Sequence, residues 1–101
     1  MLQIYTLEGC SRCNALVKEL NGQGISYKNI DADINVELAD KVERLLSTTL
    51  YPIIHIKKLT KSIYLTGEDC QHTAFSDTVM TYDSIPHAVI LIKQNLWEIN
   101  K

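Results

Sequence analysis

Two cysteines stand three positions apart near the amino terminus, in the stretch "YTLEGCSRCNALVKEL" that runs from Tyr5 to Leu20. Thiols at this spacing can form a redox pair, supply half of a metal site, or serve as small core residues. A redox thiol attacks as a thiolate, so it needs surroundings that lower its pKa from a free value of about 8.5. The elements that position Cys10 and Cys13 therefore decide between these interpretations.

The cysteine pair lies where a strand gives way to a helix. Residues 3–7 carry Ile4 and Tyr5 in an alternating pattern and predict a strand, which Gly9 ends. From Cys13 onward, apolar residues recur at the i, i+3, i+4, i+7 spacing of an amphipathic helix that ends at "NGQG". The first two elements are therefore a strand and a helix, with the thiols at their junction.

The start of a helix favours an anionic sulfur. Unpaired backbone N–H groups and the positive end of the helix dipole stabilise a thiolate at Cys10, and Arg12 lies close enough in sequence to add to this effect. Cys10 is therefore the predicted nucleophile. Cys13 lies one turn into the helix and continues its apolar stripe, so it is the predicted resolving thiol, with the less exposed sulfur. A C-x-x-C in this position favours redox chemistry over metal ligation or simple packing.

The rest of the chain predicts an α/β domain. The segment "ISYKNIDAD" predicts a second strand, and "NVELADKVERLLS" predicts a second helix capped by Asn35. After Pro52, "IIHIKK" and "SIYLTG" predict a hairpin, and a last helix is expected from Ser84 with Pro86 in its first turn. This order predicts a mixed four-stranded sheet flanked by about three helices. The polar segment from Cys70 to Asp83 fits no pattern.

Length, charge and cysteine content narrow the class of protein. A chain of 101 residues is expected to form one domain over residues 1–101, and a net charge of -2 with dispersed basic residues predicts neither a nucleic acid nor a membrane as partner. Without a recognisable leader or spanning segment, a cytoplasmic protein is expected. In a reducing compartment a C-x-x-C is more often catalytic, redox-sensing or metal-binding than structural.

With the motif, the order of elements and Pro52 considered together, the chain resembles the glutaredoxins of the thioredoxin superfamily. The resemblance covers about residues 1–69, whereas residues 69–84 match poorly and suggest an insertion before the last helix. It implies a thioredoxin fold and a dithiol thiol-disulfide oxidoreductase that reduces protein disulfides or glutathione mixed disulfides. It also implies that no cofactor is bound, that glutathione is the co-substrate, and that glutathione and protein disulfides are the partners.

The resemblance also assigns substrate-binding residues. In the family a cis proline faces the C-x-x-C, and the backbone of the residue before it pairs with glutathione, which here gives Pro52 and Tyr51. A turn after the hairpin holds the γ-glutamyl end of glutathione, and "TGED" at the matching place gives Gly67 and Asp69. Arg12 is the residue expected to supply a cation for a glutathione carboxylate.

Three alternatives stay open, the first of them because of departures from the family pattern. Family members usually place a Lys before the motif and a basic or amide residue before the cis proline, whereas the corresponding stretches here are "TLEG", with Glu8, and "STTL". One alternative is a glutaredoxin-shaped electron donor that a flavoprotein reductase reduces, serving a partner such as ribonucleotide reductase. The second is a metal or iron-sulfur binding module, in which Cys70 and His72 join the two cysteines of the motif as zinc ligands. The third is a redox-sensing interaction module without turnover, with the segment from Cys70 to Asp83 as its partner surface.

Overall fold

The computed structural model describes residues 1–59, 61–67 and 77–99, without the side chains of residues 77 and 97–99. The predicted order of strand, helix, strand, helix, strand, strand and helix is confirmed, and one further strand precedes the last helix. The elements are β1 (Leu2–Thr6), α1 (Ser11–Gly22), β2 (Lys28–Asp31), α2 (Val36–Leu46), β3 (Ile53–Lys57), β4 (Ser62–Thr66), β5 (Asp77–Thr81) and α3 (Ile85–Ile99).

The strands form one mixed sheet with the order β2-β1-β3-β4-β5. The pairs β1–β2 and β4–β5 are parallel, whereas β1–β3 and the hairpin β3–β4 are antiparallel. The mixed α/β sheet with three helices is confirmed, but the prediction of four strands is wrong, because the described residues contain five. The sequence does not predict strand β5, because "DTVMT" is short and half polar, which is typical of a strand at the edge of a sheet.

The strand directions bring four chain segments to one edge of the sheet. The end of β1 pairs with the start of β3 at Tyr5 and Ile53, and the start of β3 pairs with the end of β4 at Ile54 and Leu65. Strand β5 ends beside β4, with Thr81 opposite its last residue. We call this side of the sheet the carboxyl edge. It places the segments that follow β1, β4 and β5 beside the segment that precedes β3.

Two buried clusters hold the helices on opposite faces of the sheet. On one face, α1 and α3 pack through residues such as Leu16 and Ile92 against β-strand residues such as Ile4. On the other face, α2 packs through Val42 and Leu46 into a cluster that also contains Tyr5. Alternate residues of β1 therefore serve different cores, as the period-two pattern of a strand requires.

The helix starts follow the sequence signals, with one difference. Ser84 accepts a hydrogen bond from the N–H of His87 at 3.2 Å, so it caps α3, and Pro86 lies in the first turn as predicted. Asn35 stands at the capping position of α2, but its side chain donates to the carbonyl oxygen of Asp31 at 3.1 Å rather than capping the helix. Within the described ranges, no helix is long and apolar enough to cross a membrane.

Candidate active site

A tight turn delivers Cys10 to the start of α1. Gly9 has a φ of 74°, a left-handed conformation that favours glycine, and the N–H of Cys10 donates to the carbonyl oxygen of Leu7 at 3.3 Å. Cys10 is the N-cap residue, and its Sγ accepts a hydrogen bond from the N–H of Cys13 at 3.1 Å. The sulfur therefore occupies the position at which a helix start offers unpaired donors to an anion.

The two thiols of the motif differ in exposure. Cys10 and Cys13 are joined as a disulfide with their Cα atoms 5.2 Å apart. Cys13 is 1% exposed and belongs to the buried cluster on the face of the sheet that α2 covers, whereas Cys10 is half-buried and packs against the outside of that cluster. An incoming sulfur atom can thus reach Cys10 but not Cys13, which is the asymmetry that an attacking and a resolving thiol require.

Arg12 extends from the motif across the carboxyl edge. Its guanidinium carbon lies 5.4 Å from the ring centroid of Tyr82, within cation–π range. Its terminal nitrogens also lie close to Gly67, at 3.2 and 3.4 Å from the position that a Cβ would take there. The missing side chain at Gly67 therefore makes room for the guanidinium between the turn after β4 and the ring of Tyr82.

The segment before β3 carries the expected cis peptide bond, between Tyr51 and Pro52. The side chain of Tyr51 is buried, and its hydroxyl donates to Oε2 of Glu43 at 2.7 Å. Burial, and then the hydrogen bond to Glu43, raise the pKa of Tyr51 far above its ordinary value. Among the described residues, none accepts from the backbone N–H of Tyr51 or donates to its carbonyl oxygen, so both groups can pair with an extended ligand.

Tyr82 is a site residue that the sequence reasoning missed. It is fully buried. Its hydroxyl donates to the carbonyl oxygen of Pro52 at 2.6 Å, and its backbone N–H donates to the carbonyl oxygen of Thr66 at 2.9 Å. Its ring also supports Arg12. Tyr82 therefore connects the motif, the cis proline and the end of β4. The sequence signal that could have identified it is a single aromatic residue directly before "DS", the pair whose serine caps α3.

The raised pKa of buried Tyr82 predicts that the folded state loses stability at high pH. Burial raises the pKa of Tyr82 to about 12, with Arg12 opposing part of the shift, and the ordinary value is about 10. A pKa raised in the folded state means full stabilisation below pH 10, which is lost as the pH rises toward 12. We expect the free energy of unfolding from denaturant titrations to fall between pH 10 and 12 by about 1.4 kcal/mol per pH unit from this group.

A Tyr82→Phe variant is the control for that titration, because it removes this ionising group. Its free energy of unfolding should fall less steeply with pH than that of the natural chain. Equal slopes for the two proteins between pH 10 and 12 would show that Tyr82 titrates normally.

Gly67→Ala is expected to displace Arg12. A Cβ at this position would lie 2.9 Å from Cδ2 of Leu50 and 3.2 Å from the guanidinium, so both flexible side chains must move. We expect the fold to persist and the KM for a disulfide substrate that carries a carboxylate to rise by about three- to tenfold, as for a displaced charged contact. Gly22→Ala is the matched control, because a Cβ there meets nothing within 4 Å. Equal KM values for the two variants would contradict the role given to Arg12.

Two exposed carboxylates, those of Glu8 and Asp33, lie near the turn that precedes the C-x-x-C motif. The N–H of Glu8 donates to Oδ2 of Asp33 at 2.9 Å, and both side chains are exposed. Two acidic groups therefore lie near the turn that carries Cys10.

Of the predicted site residues, the structure brings Arg12 and Gly67 close together and places Cys10, Cys13, Tyr51 and Pro52 at the same edge of the sheet. Asp69 lies outside the described residues, as do Cys70 and His72 of the zinc hypothesis. Within residues 1–59, 61–67 and 77–99, no group of three or more His, Cys, Asp or Glu side chains could hold a metal ion.

Comparison with models of protein families gives a match. The family model described as Glutaredoxin matches residues 2–59, a segment that includes the C-x-x-C, both helices on either side of β2, and the cis proline. A search of curated proteins found no matching protein. The matched segment covers more than half of the chain and contains Cys10, Cys13, Tyr51 and Pro52, whereas Gly67 and Tyr82 lie beyond its end.

Proposed function

The chain belongs to the glutaredoxin family. We propose that it is a dithiol thiol-disulfide oxidoreductase that takes its electrons from glutathione. Family membership supports thiol-disulfide exchange in general. The observation that carries the proposal is the unequal exposure of the two sulfurs, with Cys10 accessible at the start of α1 and Cys13 buried beneath it. Glutathione as the electron donor, and a cytoplasmic location, are the further parts of the proposal.

The exchange proceeds in two steps. The thiolate of reduced Cys10 attacks one sulfur of a substrate disulfide, so that a mixed disulfide forms and the other substrate sulfur leaves as a thiolate. The thiolate of Cys13 then attacks Sγ of Cys10, which forms the internal disulfide and releases the second substrate sulfur. Two electrons pass to the substrate, and two glutathione molecules return them by becoming glutathione disulfide.

Glutathione would bind along the carboxyl edge. The N–H and carbonyl oxygen of Tyr51 offer backbone hydrogen bonds beside the cis Pro52, and the guanidinium of Arg12 offers the cation for a carboxylate. Gly67 allows the close approach that Arg12 needs, and Asp69 is proposed as the partner of the ligand's amino group. No bound cofactor is part of the proposal.

A second candidate is an electron donor that a flavoprotein reductase reduces, with ribonucleotide reductase as an example of its partner. The exposed carboxylates of Glu8 and Asp33 favour it, because they repel the carboxylates of glutathione from the motif. Both candidates share the same exchange chemistry and differ in the reductant.

The experiment that tests glutathione as reductant is equilibration of the protein in graded glutathione buffers. Mass spectrometry then reports the free dithiol, the internal disulfide and any glutathione adduct. We expect a reversible internal disulfide with a potential near the glutaredoxin range of about -200 to -230 mV. A pair that stays oxidised in strongly reducing glutathione buffers, but is reduced by a flavoprotein disulfide reductase and its nicotinamide donor, would favour the second candidate instead.

A further inference from the structure

The sheet face under α2 is only partly covered. Helix α2 has 11 residues, which makes it about 16 Å long, and its buried contacts come from Ala39, Val42 and Leu46. A groove of about 640 Å³ lies between this helix and the side chains of β1, β3 and β4. We call it the α2 groove. Its volume falls within the range of about 300 to 1,000 Å³ that is typical of small-molecule sites.

The floor of the α2 groove is a fixed aromatic surface. His55 and Tyr64 are paired across β3 and β4, and their rings stack with centroids 4.4 Å apart and planes 14° apart. The imidazole is held at both nitrogens, by Oε1 of Gln3 at 3.1 Å and by Oγ of Ser62 at 2.9 Å. Because the imidazole cannot turn without losing these bonds, the stacked pair of rings keeps a constant orientation at the floor of the groove.

Tyr5 adds a polar group to this floor. It is 2% exposed and lines the groove, and its hydroxyl has no hydrogen-bond partner within the described part of the chain. Buried polar groups in native proteins are nearly always paired, so a buried hydroxyl of this kind calls for an acceptor. A ligand in the groove can supply that acceptor.

The rim of the α2 groove is positively charged. Lys41 and Arg44 on α2 and Lys57 on β3 line it with exposed side chains, and none of them forms an ion pair with a described residue. No carboxylate side chain is among its lining residues. Leu38 and Leu45 form the apolar wall on the helix side. The groove thus combines an aromatic floor held in one orientation, an apolar wall and three cations.

We propose that the α2 groove binds a small planar aromatic anion. The aromatic ring of the ligand packs against the stacked pair of His55 and Tyr64, and its carboxylate, sulfonate or phosphate faces the rim cations. The site is separate from the cysteine pair and does not depend on the reductant proposed above.

The test is an NMR titration of the oxidised protein with naphthalene-2-sulfonate, a planar aromatic anion. We expect saturable shifts centred on His55, Tyr64 and α2, and weaker binding of the uncharged naphthalene-2-methanol. The variant Lys41→Gln/Arg44→Gln removes two rim cations and should bind the sulfonate about tenfold more weakly, since each hydrogen bond to a charged group contributes appreciably.

The matched control is Lys18→Gln/Lys93→Gln, which removes two exposed cations from α1 and α3. It carries the same change in net charge and should bind naphthalene-2-sulfonate within twofold of the natural chain. Absence of binding, equal affinities of the two double variants, or shifts centred on Cys10 and the carboxyl edge would each overturn the proposal.

Discussion

Cys10→Ser is expected to lower the rate of glutathione-dependent reduction of a mixed disulfide by a factor on the order of 10³ or more. The physical reason is that a serine hydroxyl in the same place stays protonated at neutral pH and is a far weaker nucleophile. The cap position itself tolerates serine, which is among the preferred N-cap residues, so α1 should start as before. Rates in a coupled glutathione assay, with far-ultraviolet circular dichroism for the helix content, measure both parts.

Cys70→Ser is the control for this prediction, because it removes a thiol outside the C-x-x-C motif. Its rate should stay within about twofold of that of the natural chain. If Cys70→Ser lost activity as Cys10→Ser is expected to, or if Cys10→Ser retained it, the assignment of Cys10 as the nucleophile would be wrong.

Tyr82→Ala is expected to destabilise the protein by about 3 to 5 kcal/mol, which is a large part of the stability of a small domain. The change empties a fully buried position and leaves the carbonyl oxygen of Pro52 without its donor. Tyr82→Phe keeps the ring beneath Arg12 and removes only the hydroxyl, so a loss of about 1 to 2 kcal/mol is expected. For a domain of this size each kcal/mol lowers Tm by about 4 to 8 °C, which calorimetry detects.

Tyr27→Phe is the matched control for the hydroxyl. Tyr27 is half-buried and makes no side-chain hydrogen bond to any described residue, so its substitution should change the free energy of unfolding by less than about 0.5 kcal/mol. A Tyr82→Phe variant as stable as Tyr27→Phe would contradict the stabilising role of the bond to Pro52.

The first part of the fold was predictable because its local signals agree with one another. The strand that ends before Gly9, the apolar stripe that begins at Cys13 and the hairpin after Pro52 each follow a period that the structure keeps. Strand β5 was not predictable in the same way. An edge strand is stabilised by pairing with β4, which is a property of the assembled sheet and leaves little trace in a segment of five half-polar residues.

The candidate site likewise has one part that the sequence predicts and one part that it does not. The positions of Cys10 and Cys13 follow from local helix geometry, so the difference in their exposure could be derived from the apolar stripe alone. The contacts of Tyr82 join segments that are 16 to 70 residues apart in sequence, with Thr66 and Arg12 at these two limits. Such contacts depend on how the carboxyl edge assembles, and spacing in the sequence does not reveal them.

The most direct test of the central claim is to map the glutathione adduct that forms when the resolving thiol is removed. Cys13→Ser/Cys70→Ser leaves Cys10 as the single thiol, and treatment with glutathione disulfide at neutral pH should give complete modification by one glutathione, located on Cys10 by peptide mass spectrometry. The parallel variant Cys10→Ser/Cys70→Ser, which leaves only the buried Cys13, should take up little glutathione under the same conditions. Equal modification of the two variants, or none of Cys10, would contradict the assignment of Cys10 as the attacking thiol.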